Sequence, residues 1–70
     1  MAANGISKRE KEVLYLIAHE LSTKEIADKL YISKHTAISH RKNIMQKLNV
    51  KNTAGMVRMG FELGLLQIMR

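Results

Sequence analysis

The sequence predicts an all-α domain of four short helices. Three observations carry this. Proline is absent, and after Gly5 no glycine interrupts the chain until Gly55. Three serines, Ser7, Ser22 and Ser33, each stand before a segment whose apolar residues recur at three- and four-residue spacing. No stretch shows the apolar–polar alternation of a half-buried strand.

The elements follow in order. Ser7-Lys8-Arg9-Glu10 and Ser22-Thr23-Lys24-Glu25 fit the capping box. In it the serine oxygen accepts from the third helical N–H and the glutamate accepts from the cap N–H. The first helix is predicted over about 8–19, with Val13, Leu14, Ile17, Ala18 and Leu21 as its buried stripe. The second covers about 23–30, with Ile26, Ala27 and Leu30 inward. Tyr31-Ile32-Ser33 connects it to a third helix over about 34–48, for which Ser33 is the N-cap. Asn49-Val50-Lys51-Asn52 break the pattern. A fourth helix covers about 53–63, capped by Asn52 or Thr53, and Gly64 sits where a left-handed residue closes a helix. Residues 1–5 read as a linker stub or remnant, 6–66 as the domain and 67–70 as a tail.

Seventy residues make one domain with a modest core. There is no cysteine, hence no disulfide and no thiolate metal site. His19, His35 and His40 lack the company a zinc site needs, so neither metal nor cofactor is expected. No apolar run approaches the roughly 18 residues of a membrane span. The N-terminus lacks the regions of a signal peptide, and a cytoplasmic location is expected.

The net charge is +6, and its placement is uneven. From Lys29 to Phe61 there are seven Lys/Arg and no acid. The segments on either side are close to neutral. A one-signed block points to a polyanionic partner, nucleic acid or an anionic membrane. A solvated basic face without a partner is the competing reading.

A short helix, a three-residue turn and a longer basic helix is the layout of a helix-turn-helix. Ala27 is small enough for a close crossing, and Ile26, Leu30 and Ile32 suit the wedge between the two helices. At about 100° per residue, Ala37, His40, Ile44 and Leu48 share the core face of the third helix. The opposite face carries His35, Ile38, Ser39, Lys42 and Gln46. Lysine suits guanine, glutamine adenine, serine either, and isoleucine a thymine methyl. Lys34, Arg41 and Lys47 flank this face as phosphate contacts, and the helix start near Thr36 adds partial positive charge.

These segments resemble the C-terminal DNA-binding domain of the LuxR/FixJ (GerE-like) family of bacterial transcription regulators. The resemblance rests on Ser22-Thr23-Lys24-Glu25-Ile26-Ala27, Ile32-Ser33, Thr36 and His40-Arg41-x-Asn43-Ile44-Met45-x-Lys47-Leu48. Ser7-Lys8-Arg9-Glu10-x-Glu12-Val13-Leu14, Val50-Lys51-Asn52-Thr53 and Gly64-Leu65-Leu66 extend it over about residues 6 to 66. It implies a four-helix fold, the third helix in the major groove of double-stranded DNA and the fourth used for dimerisation. It also implies an output domain that follows a receiver or ligand-binding domain, with RNA polymerase a further candidate partner. By position, base contacts fall on Ile38, Ser39 and Lys42, to which His35 at the helix start is added. Phosphate contacts fall near Lys24, Ser33, Thr36, Arg41 and Lys47. The chain departs from the family at Ala37, commonly valine, and at Ile38, commonly lysine or another polar residue. Ala54 and Gly55 also replace the usual helix-four start.

Helix four carries two apolar stripes. Ala54, Val57 and Phe61 are expected to face the core. Met56, Met59, Gly60 and Leu63 are expected to form a two-fold interface with a second copy, the alternative being packing against helix one. Tyr15 and Tyr31 read as packing residues, and Glu10 and Glu25 as capping partners rather than an acid–base pair. No nucleophile–base pair or phosphate-cradling loop is present, so no catalytic residue is assigned. A protein-docking module and a membrane-surface helix are the competing functions. Binding to random duplex at low salt separates the first of these from DNA binding, and liposome flotation the second.

Overall fold

The computed structural model describes residues 5–67. The remainder of the linker and tail expected at the two ends lies outside the described residues. Four helices are present among them: α1 (Lys8–Ala18), α2 (Thr23–Leu30), α3 (Lys34–Leu48) and α4 (Thr53–Glu62). None is long and apolar enough to cross a membrane.

The helix starts are those the sequence encodes. Ser7 and Ser22 both form complete capping boxes, with Glu10 and Glu25 returning to the cap N–H groups at 2.9 and 2.7 Å. Ser33 accepts from Thr36 N at 3.0 Å. Asn52 caps α4, its Oδ1 accepting from Gly55 N at 2.9 Å. Each of these side chains satisfies an N–H that the helix itself leaves free.

The helix ends share one device. A left-handed residue follows each helix: Glu20 (φ 66°), Tyr31 (φ 57°), Asn49 (φ 55°) and Gly64 (φ 75°). The next N–H then reaches back five residues, Leu21 to Leu16 O, Ile32 to Ala27 O, Val50 to Met45 O and Leu65 to Gly60 O, at 2.8–3.2 Å. This is the Schellman closure. In all four the residue after the turn is apolar, and Leu21, Ile32, Val50 and Leu65 pack against the core. The turn therefore reverses the chain and seals the core at the same point. Only Gly64 avoids the steric cost of about 1–2 kcal/mol that a side chain meets in this conformation. Tyr31, expected to pack, stands 95% exposed, because a left-handed residue at this corner projects its side chain outward.

The core is centred on Val13, Leu14, Ile44 and Met56, all fully buried. Ile26, Ala27, Ala37 and Leu48 complete it from α2 and α3. Ile6 and Leu66, one from each end of the domain, close its rim.

Helix α4 is rolled opposite to the sequence expectation. Met56 and Gly60, expected at a two-fold interface, are buried inside the domain, while Met59 and Leu63 are half-buried against the core. Ala54 and Phe61, expected inside, are exposed, and Val57 is half-buried. The reason is the returning chain after Gly64. It lays Leu66 directly on Gly60, where an added Cβ would lie 2.6 Å from Leu66 Cδ1 and 3.1 Å from Leu14 Cδ2. Gly60 thus permits close approach within the domain rather than between copies.

Truncating Met56 to alanine is expected to lower the unfolding free energy by about 3 kcal/mol. Truncating Phe61 is expected to change it by less than about 1 kcal/mol. Urea unfolding of the two variants checks the roll of α4; equal losses would contradict it.

Candidate nucleic-acid interface

The two halves of α3 face different surroundings. Ala37, Ile44 and Leu48 are buried, whereas His35, Ile38, Ser39, Lys42 and Gln46 are all exposed. At about 100° per residue the exposed set falls within roughly a third of the helix circumference. The structure therefore brings together His35, Ile38, Ser39 and Lys42 as one continuous face. Ile38 is 36% exposed, an apolar group among hydrogen-bonding ones. His40, expected on the core face, is half-buried.

The face begins where α2 delivers Ser33. Its hydroxyl accepts from Thr36 N and donates to Thr36 Oγ1 at 2.9 Å. That arrangement uses the serine proton internally and leaves the Thr36 hydroxyl proton free to donate outward. Lys24 at the start of α2 and Lys34 at the start of α3 are exposed. Both lie in first turns, where free N–H groups also favour an anion. At the other end, Lys42 and Gln46 border an open groove completed by Asn49 and Lys51. The sequence reading did not assign Asn49 or Lys51 to the site. Their basic and polar character was visible, but the turn that places them beside Lys42 was not.

Two of the expected phosphate contacts are already engaged. Lys47 Nζ lies 2.7 Å from Glu10 Oε1 and 3.0 Å from the Gly5 carbonyl oxygen, directed at α1 rather than along the exposed face. Arg41 is half-buried and donates to the hydroxyl of Thr53 at the start of α4. Arg41 and Lys47, both expected at phosphates, thus each hold a partner inside the domain, and Lys47 remains exposed. Glu10 explains the turn of Lys47: a carboxylate only 5% exposed needs a counter-charge.

Burial pushes the Glu10 carboxyl up, but hydrogen bonds from Lys47 and the Ser7 N–H, with the lysine charge, outweigh it and hold it below its ordinary 4.5. The Ser22 backbone and hydroxyl likewise lower Glu25, which lies in solvent. Among the described residues no three His, Asp or Glu side chains gather as a metal site.

A helix-turn-helix with an acid-free, hydrogen-bonding outer face on its second helix defines a DNA-binding domain. The family model described as bacterial regulatory proteins, luxR family, matches residues 4–60, and the chain belongs to that family. It is 41% identical over 63 residues to the spore germination protein GerE of Bacillus subtilis, covering 90% of this chain and 85% of GerE. It is 46% identical over 61 residues to the oxygen regulatory protein NreC of Staphylococcus carnosus, covering 87% of this chain but only 28% of NreC. Among solved structures, GerE superposes with a TM-score of 0.82 at 34% identity, covering 87% of this chain and 91% of GerE. The response regulator ChrA of a heme-sensing two-component system superposes with a TM-score of 0.85 at 32% identity, over 89% of this chain and 31% of ChrA. The chain is thus a LuxR-type DNA-binding domain of a transcription regulator.

Because Glu10 titrates below its ordinary value, its stabilisation is present at neutral pH and is lost as pH falls below about 4.5 through its folded value. Replacing Glu10 by glutamine is expected to cost about 1 kcal/mol at pH 7, discounted for the partly solvated lysine. The variant and parent should converge in acid. Thermal unfolding between pH 3 and 7 reads this out; a difference independent of pH would contradict it.

Proposed function

We propose that this domain reads double-stranded DNA as the output unit of a larger bacterial regulator, with α3 in the major groove. The reading is supported above all by the division of α3: its inner face is committed to the core, and its outer face holds base-reading chemistry without an acid. Ser39 and Lys42 read base edges, His35 contributes at the helix start, and Ile38 packs on a thymine methyl. Lys24, Ser33, Lys34 and Thr36 meet phosphates, the serine through its backbone N–H because its hydroxyl proton goes to Thr36. The domain acts by binding, without catalysis, in the cytoplasm. The regulatory signal comes from outside residues 5–67, and RNA polymerase is a partner of the whole regulator.

The domain pairs on two-fold DNA through the exposed side of α4. Ala54 and Phe61 replace the interface first expected on Met56, Met59, Gly60 and Leu63. Phe61 is 42% exposed, a large apolar group beside the Arg58–Glu62 ion pair, and such a group gains by burial against a second copy.

Affinity for any duplex is expected to fall as a power of salt concentration, by about 0.9 log unit per neutralised phosphate per log unit of salt. Changing Lys42 to alanine should lower discrimination between a selected and a random duplex by about 1–3 kcal/mol. Anisotropy titrations on both duplexes measure this, and equal loss on the two would refute base reading by Lys42.

Changing Phe61 to glutamate should leave thermal stability within about 0.5 kcal/mol. On a two-fold duplex it should reduce the bound species from two copies to one. Sedimentation of the complex decides it; two copies still bound would rule out the α4 interface.

A further inference from the structure

We propose that Lys47 and Arg41 are positioning residues that fix the roll of α3 about its axis, rather than contacts to DNA. This rests on the reading of α3 as the base-reading helix and adds how that helix is aimed. Among the described residues, Arg41 and Lys47 are the only α3 side chains that hydrogen-bond to another element or to the domain entrance. Arg41 reaches Thr53 at the start of α4. Lys47 reaches Glu10 on α1 and the Gly5 carbonyl before it.

Their placement on the helix matters. Taking the exposed face around Ile38, Ser39 and Lys42 as reference, Arg41 projects about 110° to one side and Lys47 about 130° to the other. The two tethers straddle the reading face. The close-packed contacts of Ala37, Ile44 and Leu48 hold α3 against the domain and set its coarse orientation. A pair of hydrogen-bonded cations on opposite flanks adds a directional restraint to that packing. Base reading is sensitive to it, because bonds to base edges require donor–acceptor distances within a few tenths of an ångström.

On its partner side the Lys47 tether rests on one buried group, the Glu10 carboxylate, and one exposed one, the Gly5 carbonyl. Glu10 Oε1 also accepts the Ser7 N–H at 2.9 Å, and Ile6 between Gly5 and Ser7 is 5% exposed. The chain entrance, the start of α1 and the last turn of α3 therefore meet at one ammonium group.

The experiment uses the whole 70-residue chain, a duplex selected from a random pool and a random-sequence duplex. Lys47→Met keeps the aliphatic stem and removes the ammonium; Lys47→Arg keeps the charge; Glu10→Gln removes the partner charge without touching α3. Lys47→Met is expected to lose about tenfold in affinity on the selected duplex and less than about twofold on the random one. The salt slope should be unchanged. Glu10→Gln should show the same selective loss, and the double variant should lose no more than Lys47→Met alone. Lys47→Arg should recover most of the preference. A uniform loss with a salt slope lower by about one would make Lys47 a phosphate contact and overturn the proposal. So would a lowered Tm with the preference intact, which would mark a purely structural pair. If Lys47→Met does not fold, Glu10→Gln and Lys47→Arg decide by the same criteria. The underlying reading fails separately: it falls if the parent shows no preference, or if Lys42→Ala loses equally on both duplexes.

Discussion

The closure at the end of each helix is the constraint on which this domain depends. A short chain must reverse direction three times between helices and once more after α4, with few residues to spend on loops. Each reversal is made by one left-handed residue and a hydrogen bond that reaches back five residues. The apolar residue that follows is delivered inward as a consequence of the turn. Local backbone geometry and core formation are thus the same event at Leu21, Ile32, Val50 and Leu65. The turn at Tyr31 has a further effect. It sets the start of α3 against α2 so that Ser33 caps the helix and the outer face stays free.

The basic block between Lys29 and Phe61 is divided by that geometry into two kinds of cation. Lys24, just upstream of the block, and Lys34 and Lys42 within it, are exposed and have no acidic partner among the described residues. Arg41 and Lys47 are spent on the fold, one on Thr53 and one on Glu10. The distinction is one of distance to a buried acceptor. A carboxylate held in a capping box and shielded from water attracts the ammonium that can reach it, and the other lysines of α3 point away from it. Arg41 keeps its charge beside a neutral hydroxyl, whereas the Lys47 charge is matched by Glu10.

Much of the fold was legible in the residues. Capping serines with glutamate three positions later located α1 and α2 to within a residue, and Ser33 located α3. These signals are local, because cap and partner lie within one helical turn. Apolar spacing gave the inner face of α3 correctly, since only one stripe on that helix is apolar. The left-handed turns at Glu20 and Tyr31 were not legible, because neither residue favours the conformation and only the hydrogen bond across the corner and the apolar residue beyond it impose it. The exposed set His35, Ile38, Ser39 and Lys42 followed directly from helical period. The roles of Arg41 and Lys47 did not, because their partners lie 12 and 37 residues away.

The sequence alone therefore determined four helices, their starting points, the location of the positive charge and the membership of the face that α3 turns outward. Each is fixed by residues within a few positions of one another. Only the tertiary structure decided which stripe of α4 turned inward. Its two stripes are equally apolar, and Leu66 settled the matter by folding back onto Gly60. Tertiary structure also decided which cations of α3 meet a partner elsewhere in the domain. That choice depends on where the buried carboxylate of Glu10 comes to rest, and no spacing along α3 encodes its position.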